Sequence, residues 1–112
     1  MNYDSNALCL ALVDRNHGLK HVYDEHIQDF DELIPHIFMA DVTRYVLARN
    51  TGSQEIVQNL EDNYDNTDDA AKNVIQASFI ENIESEAELE VVLKEVCGEK
   101  LRSEWRRQHA GK

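Results

Sequence analysis

Ser53, Thr67 and Ser85 each stand directly before a run whose apolar residues recur every three or four positions. This repeated coupling of cap and period limits the chain to helices. A hydroxyl side chain at such a point accepts a hydrogen bond from a first-turn N–H and marks a helix start. Ser53 caps QEIVQNLEDNY, in which Ile56, Val57, Leu60 and Tyr64 share a face. Thr67 caps DDAAKNVIQASFIENI, with Asp68 and Asp69 in the first turn, where the helix dipole favours acids. Ser85 and Glu88 form a capping box for EAELEVVLKEVC, with Gly98 as its left-handed stop. Upstream, a helix starts near Ser5 and stops over Asn16 to Gly18, and KHVYDEHIQDF forms a second, short one. DELIPHIFMADVTRYVLARN is a third, opened by Asp31 as cap or by Pro35 at its first position, and closed by Asn50-Thr51-Gly52. EKLRSEWRRQ places Leu101 and Trp105 one turn apart.

No stretch alternates strictly with β-branched enrichment, and no period of 20–50 residues repeats. The expected fold is all-α: one domain over residues 1–112, folded as a compact bundle of five to seven short helices. With 42% hydrophobic residues the chain can build a packed core. No run approaches the ~20 apolar residues of a membrane helix. The N-terminal run lacks a positive start and follows Asp4, which is unlike a signal peptide. Cys9 and Cys97 have no metal-type spacing and read as small buried hydrophobes. These features predict a cytoplasmic protein.

Projected at 100° per residue, the third helix gathers Ile34, Ile37, Phe38, Val42, Tyr45, Val46 and Ala48 into one arc. Asp41 falls in the middle of that arc, with Arg44 at its edge; His36, Ala40 and Thr43 face away. A buried carboxylate needs a partner, so Asp41 is expected to bond Arg44 or a helix N-terminus as a structural group. The helix from Asp68 to Ile83 is apolar nearly all round and is the expected centre of the bundle. Ser78 and Asn82 fall one turn apart on its buried side, with Glu81 near the direction of Val74.

Catalytic and metal signatures are few. His17 and His21 have i, i+4 spacing, but Gly18 interrupts the helix between them. DNYDNTDDAAKN lacks the glycine and the terminal glutamate of a calcium loop. No Gly-rich phosphate loop, nucleophile elbow or C-x-x-C occurs. An enzyme built on His36, Asp41 and Glu81 is the weakest of the readings; no catalytic residue, cofactor or metal is expected.

Charge is the clearest functional signal. The chain carries 22 acids against 11 Lys and Arg, a net of −11. Residues 21–99 hold 19 of the acids and only Arg44, Arg49, Lys72 and Lys94, a net of −15. Such a surface repels phosphate backbones and attracts basic proteins. The last segment reverses sign through Lys100, Arg102, Arg106 and Arg107 around Trp105, a mixture that could suit RNA but equally neutralises neighbouring acids.

LIPHIFMADVTRYV, followed some thirty residues on by ASFIENI, resembles a family of small acidic helical immunity proteins from bacterial polymorphic toxin and contact-dependent growth inhibition systems. Pro35, His36, Phe38, Asp41, Thr43 and Arg44 match the first piece of its pattern, and Ser78, Phe79, Glu81 and Asn82 the second; Ile34 stands where leucine is commoner. The resemblance spans about residues 30–107. It implies an inhibitor that binds a cognate toxin domain, typically a basic nuclease, one to one and occludes it. No nucleic acid or membrane partner is expected. The acids expected to meet that partner are Asp62, Asp65, Asp68 and Asp69 at one helix junction and Glu84, Glu86 and Glu88 at the next, while Asp41, Arg44, Ser78 and Asn82 are expected to be structural. The rival reading is a helical adaptor that binds a partner through an apolar groove.

Overall fold

The computed structural model describes residues 3–110. Seven α-helices follow one another: α1 Ser5–Arg15, α2 Leu19–Phe30, α3 Pro35–Leu47, α4 Ser53–Asn63, α5 Asp69–Val74, α6 Glu86–Val92 and α7 Glu99–His109. A 3-10 turn, Tyr64–Asn66, precedes α5, and α5 runs without a break into a π-helical segment, Ile75–Ile80. An isolated parallel bridge between Tyr3 and Thr67 is the one β-type pairing among the described residues. The fold is the all-α bundle that the caps and periods predict.

One core draws on all seven helices. Phe38, Met39 and Val42 of α3, Ile56 and Leu60 of α4, and Ile75, Phe79 and Ile80 of the π segment form its middle, with Leu19 of α2 and Leu101 of α7 closing the sides. The α5–π helix is central, as its all-round apolar surface implies. α3 packs along the π segment more extensively than any other pair of elements touches.

Several caps differ from the sequence reading. Asp68, not Thr67, caps α5: its carboxylate accepts from the Ala71 N–H at 2.8 Å, while the Thr67 hydroxyl turns back to the Tyr64 carbonyl. Pro35 sits in the first turn of α3, and Asp31 instead ends α2 in the left-handed region, at φ 62°. Gly98 is left-handed too, but it opens α7 rather than closing α6, which ends at Val92. Its positive φ of 54° favours glycine, and a Cβ there would press on the end of the Leu93 side chain. The Ser85 cap of α6 is as expected; Glu88 reaches back to the Glu84 N–H at 2.8 Å.

Two long-range caps have no local signal. The Glu61 carboxylate of α4 accepts from the Lys100 and Leu101 N–H groups, both at 3.0 Å, and so caps α7 from another helix. The Gln54 amide donates to the carbonyls of Val91 and Val92 at the end of α6, and its oxygen accepts from the Glu95 N–H at 2.7 Å.

The π segment shifts the helical phase. Its turns are wider than α turns, with the Glu81 N–H reaching back five residues to Gln76. Each residue therefore advances less than the 100° assumed in a projection. The expected buried pair is divided: Ser78 is buried, but Asn82 and Glu81 are exposed.

Candidate functional site

The two sequence pieces that carry the family resemblance meet in space. Along α3, His36 places Nδ1 2.6 Å from the Ser78 Oγ, and Thr43 places its hydroxyl 3.1 Å from the Phe79 carbonyl and 3.4 Å from that of Ser78. The Asn82 amide donates to the same Ser78 carbonyl at 2.6 Å. From the other side, Gln108 of α7 donates to the Gln76 carbonyl at 2.9 Å, and the Trp105 indole donates to Ile83 at 2.7 Å. Side chains thus supply donors to carbonyls around the widened turns, which an α-helical ladder would otherwise satisfy. A serine hydroxyl within bonding distance of an imidazole is also the first half of a nucleophilic pair. Here no side chain among the described residues hydrogen-bonds the second nitrogen of His36, and Ser78 is buried under α3. The contact joins helices.

Asp41 is not a core carboxylate. Its side chain is 34% exposed at the flank of α3, paired with Arg44 three residues on. The buried stripe of α3 runs through Phe38, Met39, Val42, Thr43 and Val46, so it is rotated from the projected arc. Thr43, expected to face away, is fully buried, whereas Ile37 and Ala48 are exposed. Met39, left out of the arc, is the residue that reveals the true stripe: Met39, Val42, Thr43 and Val46 have i, i+3, i+4, i+7 spacing.

The acidic junction around α5 is largely committed to the fold. Asp65 lies 3.0 Å from Lys100 and 3.8 Å from Lys72, and the bond from Lys100 holds its carboxyl below the ordinary aspartate range. Asp68 is a cap, and Asp62 accepts from Gln58 at 2.7 Å. Asp62 and Asp69 are exposed and make no ion pair among the described residues. Glu84 and Glu86 are exposed as well, but Glu88 is engaged with the Glu84 backbone. The two groups flank opposite ends of the twelve-residue α5–π helix, ~15–18 Å of axis at a rise of up to ~1.5 Å per residue. That is about two Debye lengths at physiological salt, ~8 Å each, so the groups act as separate patches.

The basic segment is neutralised from within. Lys100 meets Asp65, Arg102 meets Glu90 at 2.9 Å, and Arg107 meets Glu104. Glu104 is 7% exposed; the Arg107 guanidinium holds its carboxyl below the usual glutamate range, with Gln108 adding to the effect against the cost of burial. Trp105 is buried and stacks on His109, ring centroids 4.0 Å apart. An RNA-binding strip needs those cations and that ring free, and of the four cations only Arg106 stands outside the ion pairs among the described residues.

The α2–α3 corner is different, and sequence patterning gave no warning of it. Phe30 is 41% exposed and Ile37 38% exposed. Against Phe30 His26 is buried: its Nε2 accepts from the Ile34 N–H at 2.9 Å, and its ring lies 5.0 Å from Phe30 and 5.8 Å from Phe38. The His26 Nδ1 has no hydrogen-bond partner among the described residues. Asp29, Asp31 and Glu32 surround Phe30 in sequence, are exposed, and make no ion pair among the described residues. A groove of about 490 Å3 between α1 and α2, lined by Leu10, Val13, His17, Lys20 and Tyr23, is the other surface with an exposed large apolar side chain.

Over residues 9–111 the chain matches the family described as a domain of unknown function, DUF7674, and it belongs to that family. No curated protein and no solved structure shows a significant match.

Proposed function

We propose that this member of the family is an immunity protein, which binds a cognate basic toxin domain one to one and blocks it sterically in the cytoplasm, without catalysis, metal or cofactor of its own. The observation that carries the reading is the imbalance of the surface. Among the described residues six of the ten Lys and Arg are held in internal ion pairs, while Asp29, Asp31, Glu32, Asp62, Asp69, Glu84 and Glu86 stay exposed outside any ion pair. A field of that sign speeds encounter with a basic nuclease and opposes nucleic acid. Support also comes from the resemblance of the α3 and π-segment residues, which speaks for fold more than for partner.

The test is growth. Cells expressing the toxin domain encoded beside this chain's gene should survive when the chain is co-expressed and die when it is not. Loss of protection in the presence of folded, abundant protein contradicts the reading. The adaptor alternative draws on the apolar α1–α2 groove. It predicts partner binding that is insensitive to salt and abolished by Leu10→Lys.

A further inference from the structure

Ile34, Ile37 and Asp41 lie on one flank of α3, one turn apart, and sequence spacing assigns that flank to the core. The fold leaves Ile37 exposed and Ile34 and Asp41 only half-buried. Residues that break a local rule in this way are where function is to be sought. The flank continues across the α2–α3 turn into Phe30, because His26 touches both: its ring packs on Phe30 and its Nε2 holds the Ile34 N–H. Phe30 and Ile37 are two of the three large apolar side chains exposed among the described residues.

We propose that this corner is the contact centre through which the chain engages a basic protein domain, with Phe30 and Ile37 as apolar anchors and Asp29, Asp31 and Glu32 as an acidic rim; the proposal rests on the inhibitor reading above. Binding energy concentrates in a few apolar and aromatic anchors ringed by polar groups, and this corner has that composition. The Asp62–Asp69 junction does not: two of its four acids serve a lysine bridge and a helix cap, and no large apolar side chain is exposed on it. The rim fixes the partner's charge. No Lys or Arg occurs between His21 and Thr43, and the three rim acids have no internal counter-ion among the described residues. Arg or Lys side chains around an apolar pocket are the complement.

His26 adds a second, independent sign. Because Nε2 accepts from Ile34, the neutral ring carries its proton on Nδ1. That N–H is buried beside Phe30 with no acceptor among the described residues. Buried donors are normally satisfied, and a shift of the half-exposed Phe30 ring on docking would open this one to an oxygen of the partner.

The experiment uses the full chain and the purified toxin domain encoded beside its gene, with binding kinetics and growth protection as readouts. Phe30→Ala with Ile37→Ala should speed dissociation at least ~30-fold, and Asp29→Lys with Glu32→Lys should slow association ~10-fold or more, since anchors act on dissociation and rim charges on encounter. Asp62→Lys with Asp69→Lys should stay within ~3-fold of wild type, as expected of charges outside the contact. Each variant is first melted to establish folding; if the anchor pair fails to fold, the rim pair decides. Corner variants that bind as wild type while the wild-type chain protects cells overturn the corner and leave the inhibitor reading standing. A wild-type chain that neither protects nor binds overturns both.

Discussion

The Thr43 hydroxyl of α3 lies 3.1 Å from the Phe79 carbonyl of the π segment, and Thr43 is completely buried. This contact ties the two elements that carry the family-like residues. Its single proton has alternatives in the Ser78 carbonyl, at 3.4 Å, and Met39 of its own helix, at 3.2 Å.

Thr43→Val keeps the shape and removes the donor. It takes the side-chain donor from the Phe79 carbonyl of a widened helix, so it should lower unfolding stability by ~1–3 kcal/mol in urea titration, while Thr43→Ser should lose less by keeping the hydroxyl. A valine variant as stable as wild type contradicts the role given to Thr43.

Asp41→Ala should be mild. Its ion pair with Arg44 is an exposed i, i+3 contact, for which ~0.5 kcal/mol or less is expected. A loss above ~2 kcal/mol would mean that Asp41 behaves as the core carboxylate its sequence position suggests.

Glu61→Ala should release the start of α7. Losing a carboxylate that accepts two first-turn N–H groups costs ~1–2 kcal/mol by comparison with local caps. Trp105, buried on the same helix, reports the change by its fluorescence.

How much of this could be read from the sequence follows from range. The helices and the central segment depend on neighbours three or four residues away, and Ser85 and Pro35 act where spacing puts them; Ser53, expected as a cap, is instead the first residue of α4 and donates its hydroxyl to the Asn50 carbonyl. Glu61 capping α7 and Gln54 capping α6 join residues about forty apart, so local pattern is silent on both. The π turn defeats projection for a different reason: it changes the angle per residue, which moves Asn82 and Glu81 outward. On α3 hydropathy alone assigns Ile37 to the core and Thr43 to solvent, whereas the hydroxyl of Thr43 is buried because carbonyls of the π segment accept from it. Of the expected contact acids, Asp65 and Asp68 are legible as acids but not as partners of Lys100 and Ala71.

Acid should weaken the fold through Glu104. Its carboxyl titrates below the ordinary glutamate value because Arg107 bonds the charged form. The folded state therefore gains from this group above pH ~4.5 and loses that gain as pH falls through the depressed value. Glu104→Gln should melt lower than wild type at pH 7, and the gap should narrow as pH falls below ~4.5 and vanish below the depressed value. A gap that is constant with pH contradicts the assignment.

The thiols should separate cleanly. Burial pushes the Cys9 thiol up to about 12, whereas Cys97 is exposed, contrary to the expectation that both are buried. A thiol reagent at pH 8 should modify one cysteine in the folded chain and both in denaturant. Fast modification of Cys9 in the native state would contradict its burial.

The inhibitor reading is tested most directly by the association rate of this chain, measured across salt, with the purified toxin domain that the reading expects to find encoded beside its gene. The account predicts a one-to-one complex whose association rate falls at least ~10-fold between ~20 mM and ~300 mM salt, as screening removes the attraction of the acidic surface. No complex at the lowest salt, or a rate that does not change with salt, contradicts it.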